Sequence, residues 1–542
     1  MTANCWFNEN MTGLSLSTRQ ICLRLEHFLF LIKTISLFMK SIFFSYENLS
    51  VQSAYNRSRG LFTLLTLIAL FTTSCKKETD VTPAGSLKAN AGADQQVQVG
   101  QLVSLDGGSS TDSQGKSFTT QWAIVRKPAK SNVTLASANT PKPSFTPDEV
   151  GEYELQLTVA NANGNNTDNV IVAASVAQPV TINQNITVKT VLTDRIVNPD
   201  LPDYIVAKSV AVNAELTINP GVVIAFERDT RMDINDNGGL IIAKGETDRK
   251  IRFLGVEKTP GFWNGLVLYS GSNANVFENV EVLHAGSRTL YSTIKAGMYV
   301  AGTKAQIALK NTSFAQNSGY GLYVQVGGIL REFAQNSFSA NSEAGIALGA
   351  ENVPQLDAAS KFTGNNGRNV VEVPQSTIEG ANEAVWPRFT DKTPYRIIGE
   401  LIATTGWKLT PGATLEMGRD AVIRINTGAY LLAKGTATDK ITFTGAERAA
   451  GFWRGIICYS TSSQNVLEYA DVSSAGSNAI VSGKKTNIAV YGTKAAMSIK
   501  NTRISNSAGY GVFVSYGASV NADVTTTNTF ESNAQTNVMI EK

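Results

Sequence analysis

Hydrophobic and polar positions alternate in short runs along most of this chain. Val97-Gln-Val99, Leu102-Val-Ser-Leu105 and Tyr153-Glu-Leu155-Gln-Leu157-Thr-Val159 place an apolar side chain at every second position, the period of a strand buried on one face. Runs rich in Gly, Asn and Asp, such as Asp106-Gly-Gly-Ser-Ser-Thr-Asp112 and Asn161-Ala-Asn-Gly164, separate them as turns. About seven short strands over residues 87–178 predict a small two-sheet sandwich.

Further on, the alternation acquires two longer periods. Gly261-Phe-Trp-Asn-Gly265 returns 190 residues later as Gly451-Phe-Trp-Arg-Gly455. At the same offset Tyr269-Ser270 becomes Tyr459-Ser460, Gly302-Thr-Lys-Ala305 becomes Gly492-Thr-Lys-Ala495, and Gly319-Tyr-Gly321 becomes Gly509-Tyr-Gly511. Residues 204–353 and 395–542 are therefore two copies of one pattern. Inside the first copy Phe314, Phe338 and Phe362 are 24 apart, as are Asn317, Asn341 and Asn365, and Leu322, Ile346 and Val370. A helix of 3.6 residues per turn does not return an aromatic and an Asn at that interval, whereas a chain coiling and stacking on itself does. The pattern over 181–542 is that of a right-handed parallel β-helix, making the fold class all-β. Phe and aliphatic side chains would stack inside, and Asn side chains would form a ladder at a bend, satisfying backbone groups there. Roughly 15 layers at about 4.8 Å would make a rod near 70 Å long.

Residues 61–74 form an apolar run of signal-peptide length, flanked by Arg57 and Arg59 and followed by Thr73, Ser74 and Cys75. This resembles a bacterial lipoprotein signal, which implies that Cys75 is lipidated and anchors the mature protein to a membrane. An uncleaved membrane helix is disfavoured, because the run is short and stops at Cys75. Lys76-Lys77-Glu78-Thr79-Asp80 resembles the charged export tag of surface lipoproteins in the Bacteroidetes. That implies the outer membrane or cell surface, with a periplasm-facing placement as the alternative. Residues 76–86 read as a tether. Residues 1–50, with their apolar stretch from Phe28 to Phe44 broken by Lys33 and Lys40, are expected to be an over-extended start, the alternative being an upstream membrane segment.

The sandwich segment resembles the PKD family. The matching residues are Ala91-Gly92-Ala93-Asp94, Leu105-Asp106-Gly107, Trp122, Pro143-Ser-Phe145-Thr-Pro147 and Gly151-Glu-Tyr153. The compact Trp-Asp-Phe-Gly-Asp signature is missing, since Trp122 leads into Ala-Ile-Val-Arg-Lys-Pro128. The resemblance implies an immunoglobulin-like sandwich used as spacer or recognition module, with Trp122 between the sheets and Asp106 and Asp112 in turns. The stretch 181–542 resembles the pectate-lyase-like superfold, found in surface lipoproteins and in polysaccharide enzymes. Such a fold does not fix an activity.

Charge narrows the partners. The formal net charge is +3, but residues 1–75 hold six of the 47 Lys/Arg and only three of the 44 Asp/Glu, so the remainder is neutral. That argues against bulk attraction to nucleic acid. With two His in the chain, imidazole chemistry has little material. Cys458 aligns with Leu268 of the other copy and reads as a core filler, and no intramolecular disulfide is expected.

Asp233-Ile-Asn235-Asp-Asn237-Gly238 imitates the start of a calcium loop, but its twelfth position is Lys244 rather than Glu. Asp233, Asn235 and Asn237 are therefore read as a turn, with calcium as the minor alternative and no other cofactor. Phe262, Trp263, Phe452, Trp453, Tyr320 and Tyr510 are the candidates for stacking against a ligand, against the plainer reading that the Trp pack into a coil corner. No catalytic residue is assigned. The expected function is a monomeric, non-catalytic binding or adhesion protein recognising glycan or another surface polymer. A polysaccharide lyase or glycoside hydrolase is the rival, and a structural spacer the third reading.

Overall fold

The computed structural model describes residues 86–302 and 304–542; Cys75 and the rest of the targeting region lie outside the described residues. The described chain is all-β, with one short 3-10 turn at Ala350–Gln355.

In the first part a four-strand sheet is built from Gln95–Gln98, Gly164–Ser175, Gly151–Asn161 and Thr119–Arg126, in that order. Two small pairs accompany it, Leu87–Lys88 with Thr111–Asp112 and Val103–Ser104 with Ser144–Phe145. The alternation along Tyr153, Leu155, Leu157 and Val159 delivers all four side chains to the core, where Trp122 is also buried. Asp106 and Asp112 accept the amide hydrogens of Gly108 and Gln114, each at 2.8 Å. Both carboxylates thus stabilise the turns that contain them.

From Val180 onward each strand pairs in parallel with a strand one coil further along the chain. The result is five parallel sheets of six, eight, thirteen, seven and six strands, an arrangement consistent with a β-helical solenoid. Parallel neighbours stack identical positions, so the 24-residue spacing becomes a column of rings. Phe314 and Phe338 lie 5.4 Å apart and Phe338 and Phe362 5.2 Å, all nearly parallel in tilt. Cys458 sits in the same interior, and burial pushes its thiol up to about 11.

The Asn ladder differs from the expected one by a single residue. Asn317 Nδ2 donates to Asn341 Oδ1, and Asn341 Nδ2 donates to Asn366 Oδ1, both at 2.9 Å. Asn366, not Asn365, continues the ladder, and Val371, not Val370, pairs with Ile346. One-residue slips cause this, at Ser337–Ser339 against Lys361–Gly364 and again at Ala344–Ile346 against Arg368–Val371. The displaced Asn365 takes a left-handed φ of 60°, which Asn tolerates better than most residues.

The two copies do not continue one another face to face. Gly265–Leu268 belongs to the thirteen-strand sheet, but its repeat Gly455–Cys458 belongs to the seven-strand sheet. The thirteen-strand sheet instead runs from Arg368–Val373 into Tyr395–Ile397, Thr414–Met417 and Ile441–Gly445. The last of these is the repeat of Ile251–Gly255, which in the first copy lies in the eight-strand sheet. The second copy is therefore advanced by one face around the coil.

Candidate functional site

That advance joins outward positions of both copies into one column along the thirteen-strand sheet. Cα register carries it from Ala211 through Asp233, Val267, Tyr299, Tyr323 and Ala347 to Glu372. It goes on through Arg396, Glu416 and Thr444. The Ser473 hydroxyl donates to Thr444 Oγ1 at 3.1 Å, and Ser505 and Glu531 follow in register. Thirteen strands at about 4.8 Å give a track of about 58 Å.

Its first section is aromatic. Tyr299 is buried and carries Tyr291 stacked on one side and Tyr323 on the other, both at 5.6 Å between centroids. Tyr320 meets Tyr323 edge-on at 5.3 Å. Tyr291 is 56% exposed and Tyr269 38%, so the cluster presents ring surface to solvent. A hairpin closed by hydrogen bonds between Leu290 and Ile294 and between Ile294 and Tyr291 packs over Val267 and Tyr299. A cleft of about 700 Å³ opens beside Tyr269, lined by Asp236, Ser272 and Lys304 among others.

Charged groups frame the rings. The Tyr320 hydroxyl donates to Glu372 Oε2 at 2.7 Å, while Arg368 Nε donates to Glu372 Oε1 at 2.6 Å. Burial raises the Tyr320 hydroxyl far above its ordinary pKa, and the Glu372 carboxylate adds to that. Burial also lifts the Asp233 carboxyl, opposed by Arg231 at 2.9 Å.

The other residues singled out from the sequence are placed differently. Trp263 and Trp453 are fully buried, and their indole N–H groups donate to the carbonyls of Leu283 and Ser473 at 2.6 and 2.7 Å. Phe262 and Phe452 are buried beneath the guanidinium groups of Arg228 and Arg419, at 4.5 and 4.7 Å from the ring centres. None of these four rings presents a face to a ligand, and the two motifs lie on different sheets. Tyr510 is half-buried with Lys484 6.0 Å above it, in the seven-strand sheet. Asp233, Asn235 and Asn237 do not converge: Asp233 points from a strand to Arg231, and Asn235 Nδ2 donates to Asn213 Oδ1 at 2.7 Å.

Sequence reasoning found Tyr320 but passed over Tyr269, Tyr291, Tyr299 and Tyr323. The available signal was the spacing of Tyr299 and Tyr323, which are 24 apart like the core Phe residues.

The last section of the track is hydroxyl-rich. A cleft of about 400 Å³ is lined there by Thr442, Thr444, Ser473, Ser505, Asp471 and Arg503, with Arg448 and Asn506 at its rim. Arg503 Nε reaches Glu531 at 3.2 Å, and Lys440 lies 3.9 Å from Asp471 Oδ1. At the equivalent place the first copy packs Leu254 and Leu283 with Val223, Ala225 and Ile205.

Residues 91–173 match a family model for the PKD domain, of the type found in KIAA0319-like proteins. No curated protein matches the chain. Among solved structures it is similar to a nucleoside hydrolase-related hypothetical protein from Saccharophagus degradans associated with carbohydrate metabolism. That alignment has 17% identity and a TM-score of 0.15, covering 17% of this chain and 25% of the other, so the chain spans a quarter of that protein. The PKD domain of the KIAA 1837 protein matches at 27% identity and a TM-score of 0.14, covering 17% of this chain and 89% of that one. The PKD domain of human KIAA0319 matches at 15% identity and a TM-score of 0.16, covering 19% and 95%. Together with the buried Trp122 and the alternating strand Gly151–Asn161, the match means that residues 91–173 form a PKD domain.

Proposed function

We propose that the protein is a non-catalytic binding or adhesion module of the cell envelope that grips an extended glycan on the tyrosine cluster of the thirteen-strand sheet. In this reading Cys75 carries a lipid anchor at the outer membrane or cell surface, and the PKD domain, itself suggestive of an extracellular adhesion-type module, stands between anchor and binding face. The repeated region is taken as a right-handed parallel β-helix. The observation that carries the proposal is the group Tyr269, Tyr291, Tyr299 and Tyr323 on one outward face. An aromatic ring offers a flat apolar face with a polar tip, matching a sugar ring, which is apolar on its C–H face and hydroxylated at its edge. Gln325 supports the polar edge, accepting from the Tyr299 hydroxyl at 3.1 Å. A stretched polymer suits a surface whose equivalent positions recur at each strand.

Calorimetric titration with a panel of neutral and charged polysaccharides tests this. Binding to at least one is expected, weakened about tenfold by Tyr269→Ala/Tyr291→Ala. If the folded protein binds no member of the panel, the proposal fails.

A further inference from the structure

The hydroxyl-lined cleft of the second copy lies on the same column as the tyrosines, yet nothing in the tyrosine cluster requires it. Three observations bear on its use. First, it is specific to one copy: Thr444 and Ser473 occupy the places of Leu254 and Leu283, which close that position in the first copy with apolar contacts. Second, its lining charges balance, with Arg448 and Arg503 against Asp471 and Glu531. Such a site does not select for net charge. Third, its groups are set to pair with hydroxyls. Asp471 is one-third exposed, and its Oδ1 has no hydrogen-bond partner, since Lys440 stays at 3.9 Å. Arg503, next to it in register, donates weakly to Ser505 Oγ at 3.4 Å. A carboxylate can only accept and a guanidinium only donate, so the pair is complementary to two neighbouring hydroxyls, one donating and one accepting. Ser473, Ser505 and Thr442 can do either.

We infer that this cleft is a second saccharide subsite, taking a neutral sugar unit of the same polymer through adjacent hydroxyls. The inference rests on the glycan reading of the tyrosine cluster and adds to it a ligand class and a length requirement. Tyr323 and Ser473 are six strand spacings apart along the column, about 29 Å. Only a chain long enough to cover that span reaches both sites. Joining two weak sites in this way raises affinity without new contacts, by roughly a hundredfold when the span is matched.

The test uses the full chain and graded lengths of neutral gluco-, manno- and xylo-oligosaccharides, with a charged uronate series alongside. For at least one neutral series, affinity is expected to rise steeply once the oligomer can cover both sites. Thr444→Leu/Ser473→Leu, which installs the first copy's residues, should abolish the rise while leaving short-oligomer binding intact. Asp471→Asn, which keeps the shape and adds a donor in place of an acceptor, should weaken long oligomers about tenfold. A rise that persists in the double variant, or an Asp471→Asn protein indistinguishable from wild type, overturns the subsite. A length effect confined to the uronate series overturns the neutral-sugar assignment. Short oligomers that bind with no length effect leave the tyrosine cluster standing and remove the cleft. Absence of binding at any length removes both.

Discussion

Where the first copy packs Leu254 with Leu283, the second copy places Thr444 beside Ser473 at hydrogen-bond distance. Beneath that difference the interiors match closely. Trp263 and Trp453 donate to equivalent carbonyls, and Phe262 and Phe452 lie under equivalent arginines. Where the interior does vary, it varies by compensation. In the first copy the Ala285 N–H is satisfied by Asn317 Oδ1 at 2.9 Å, and in the second the Ala475 N–H by Asn487 Oδ1 at 3.0 Å. Asn487 aligns with Gly297 and Ser507 with Asn317, so the amide side chain comes from a different strand to meet the same need. A Cβ at Gly297 would lie 2.7 Å from the Gly321 carbonyl and 3.0 Å from Asn317 Nδ2, so the first arrangement excludes the second. Duplication thus preserved what the backbone and core require and freed the outward face to diverge.

If the two interiors are equivalent, Trp263→Ala and Trp453→Ala should each lower unfolding free energy by about 3–5 kcal/mol. Denaturant titrations that differ by more than about 2 kcal/mol would mean that one copy tolerates the loss of its corner and the other does not. A finer probe is the Asn exchange. Asn487→Gly leaves the Ala475 N–H without its partner and should cost about 1–3 kcal/mol. Adding Ser507→Asn, which recreates the first copy's arrangement, should recover most of it; a double variant no better than the single would contradict compensation.

The smallest effect is on pH dependence, and it separates the copies at His284, whose counterpart is Ser474. His284 is buried, its Nε2 sits 3.0 Å from Gln316 Oε1, and burial, with Lys258 assisting, holds its pKa below the ordinary 6.5. Above 6.5 the ring is neutral in both folded and unfolded chains, so there is no penalty. As pH falls through 6.5 the unfolded chain takes up a proton that the folded one resists, and stability declines until the folded value is passed. His284→Ser should therefore flatten the loss of stability between about pH 7.5 and about pH 5. Equal slopes for the variant and the wild type would show that His284 titrates alike in both states.

The core was legible because parallel stacking writes itself into sequence as recurrence. Phe314, Phe338 and Phe362 recur because each ring must sit on the one below. The ladder at Asn366 was missed by one residue because a bulge changes the count without changing composition. The candidate site was much less legible. The repeated Phe-Trp motif drew notice as a stacking platform, yet its repetition reflects a core demand. The tyrosines and the cleft are, by contrast, the parts that the two copies do not share.

Sequence alone determined that the chain is all-β, that one segment is a PKD-type sandwich, and that the rest is a duplicated stack with a defined apolar interior. These follow from local alternation and from spacing, which a single dimension records. Only the tertiary structure decided which outward residues become neighbours. Coil lengths vary, from 20 residues between Tyr204 and Ile224 to 32 between Val282 and Phe314, and the second copy enters one face out of step with the first. An outward residue's neighbours depend on the sum of those lengths, so Tyr323 and Ser473 share a face for a reason that no local pattern carries.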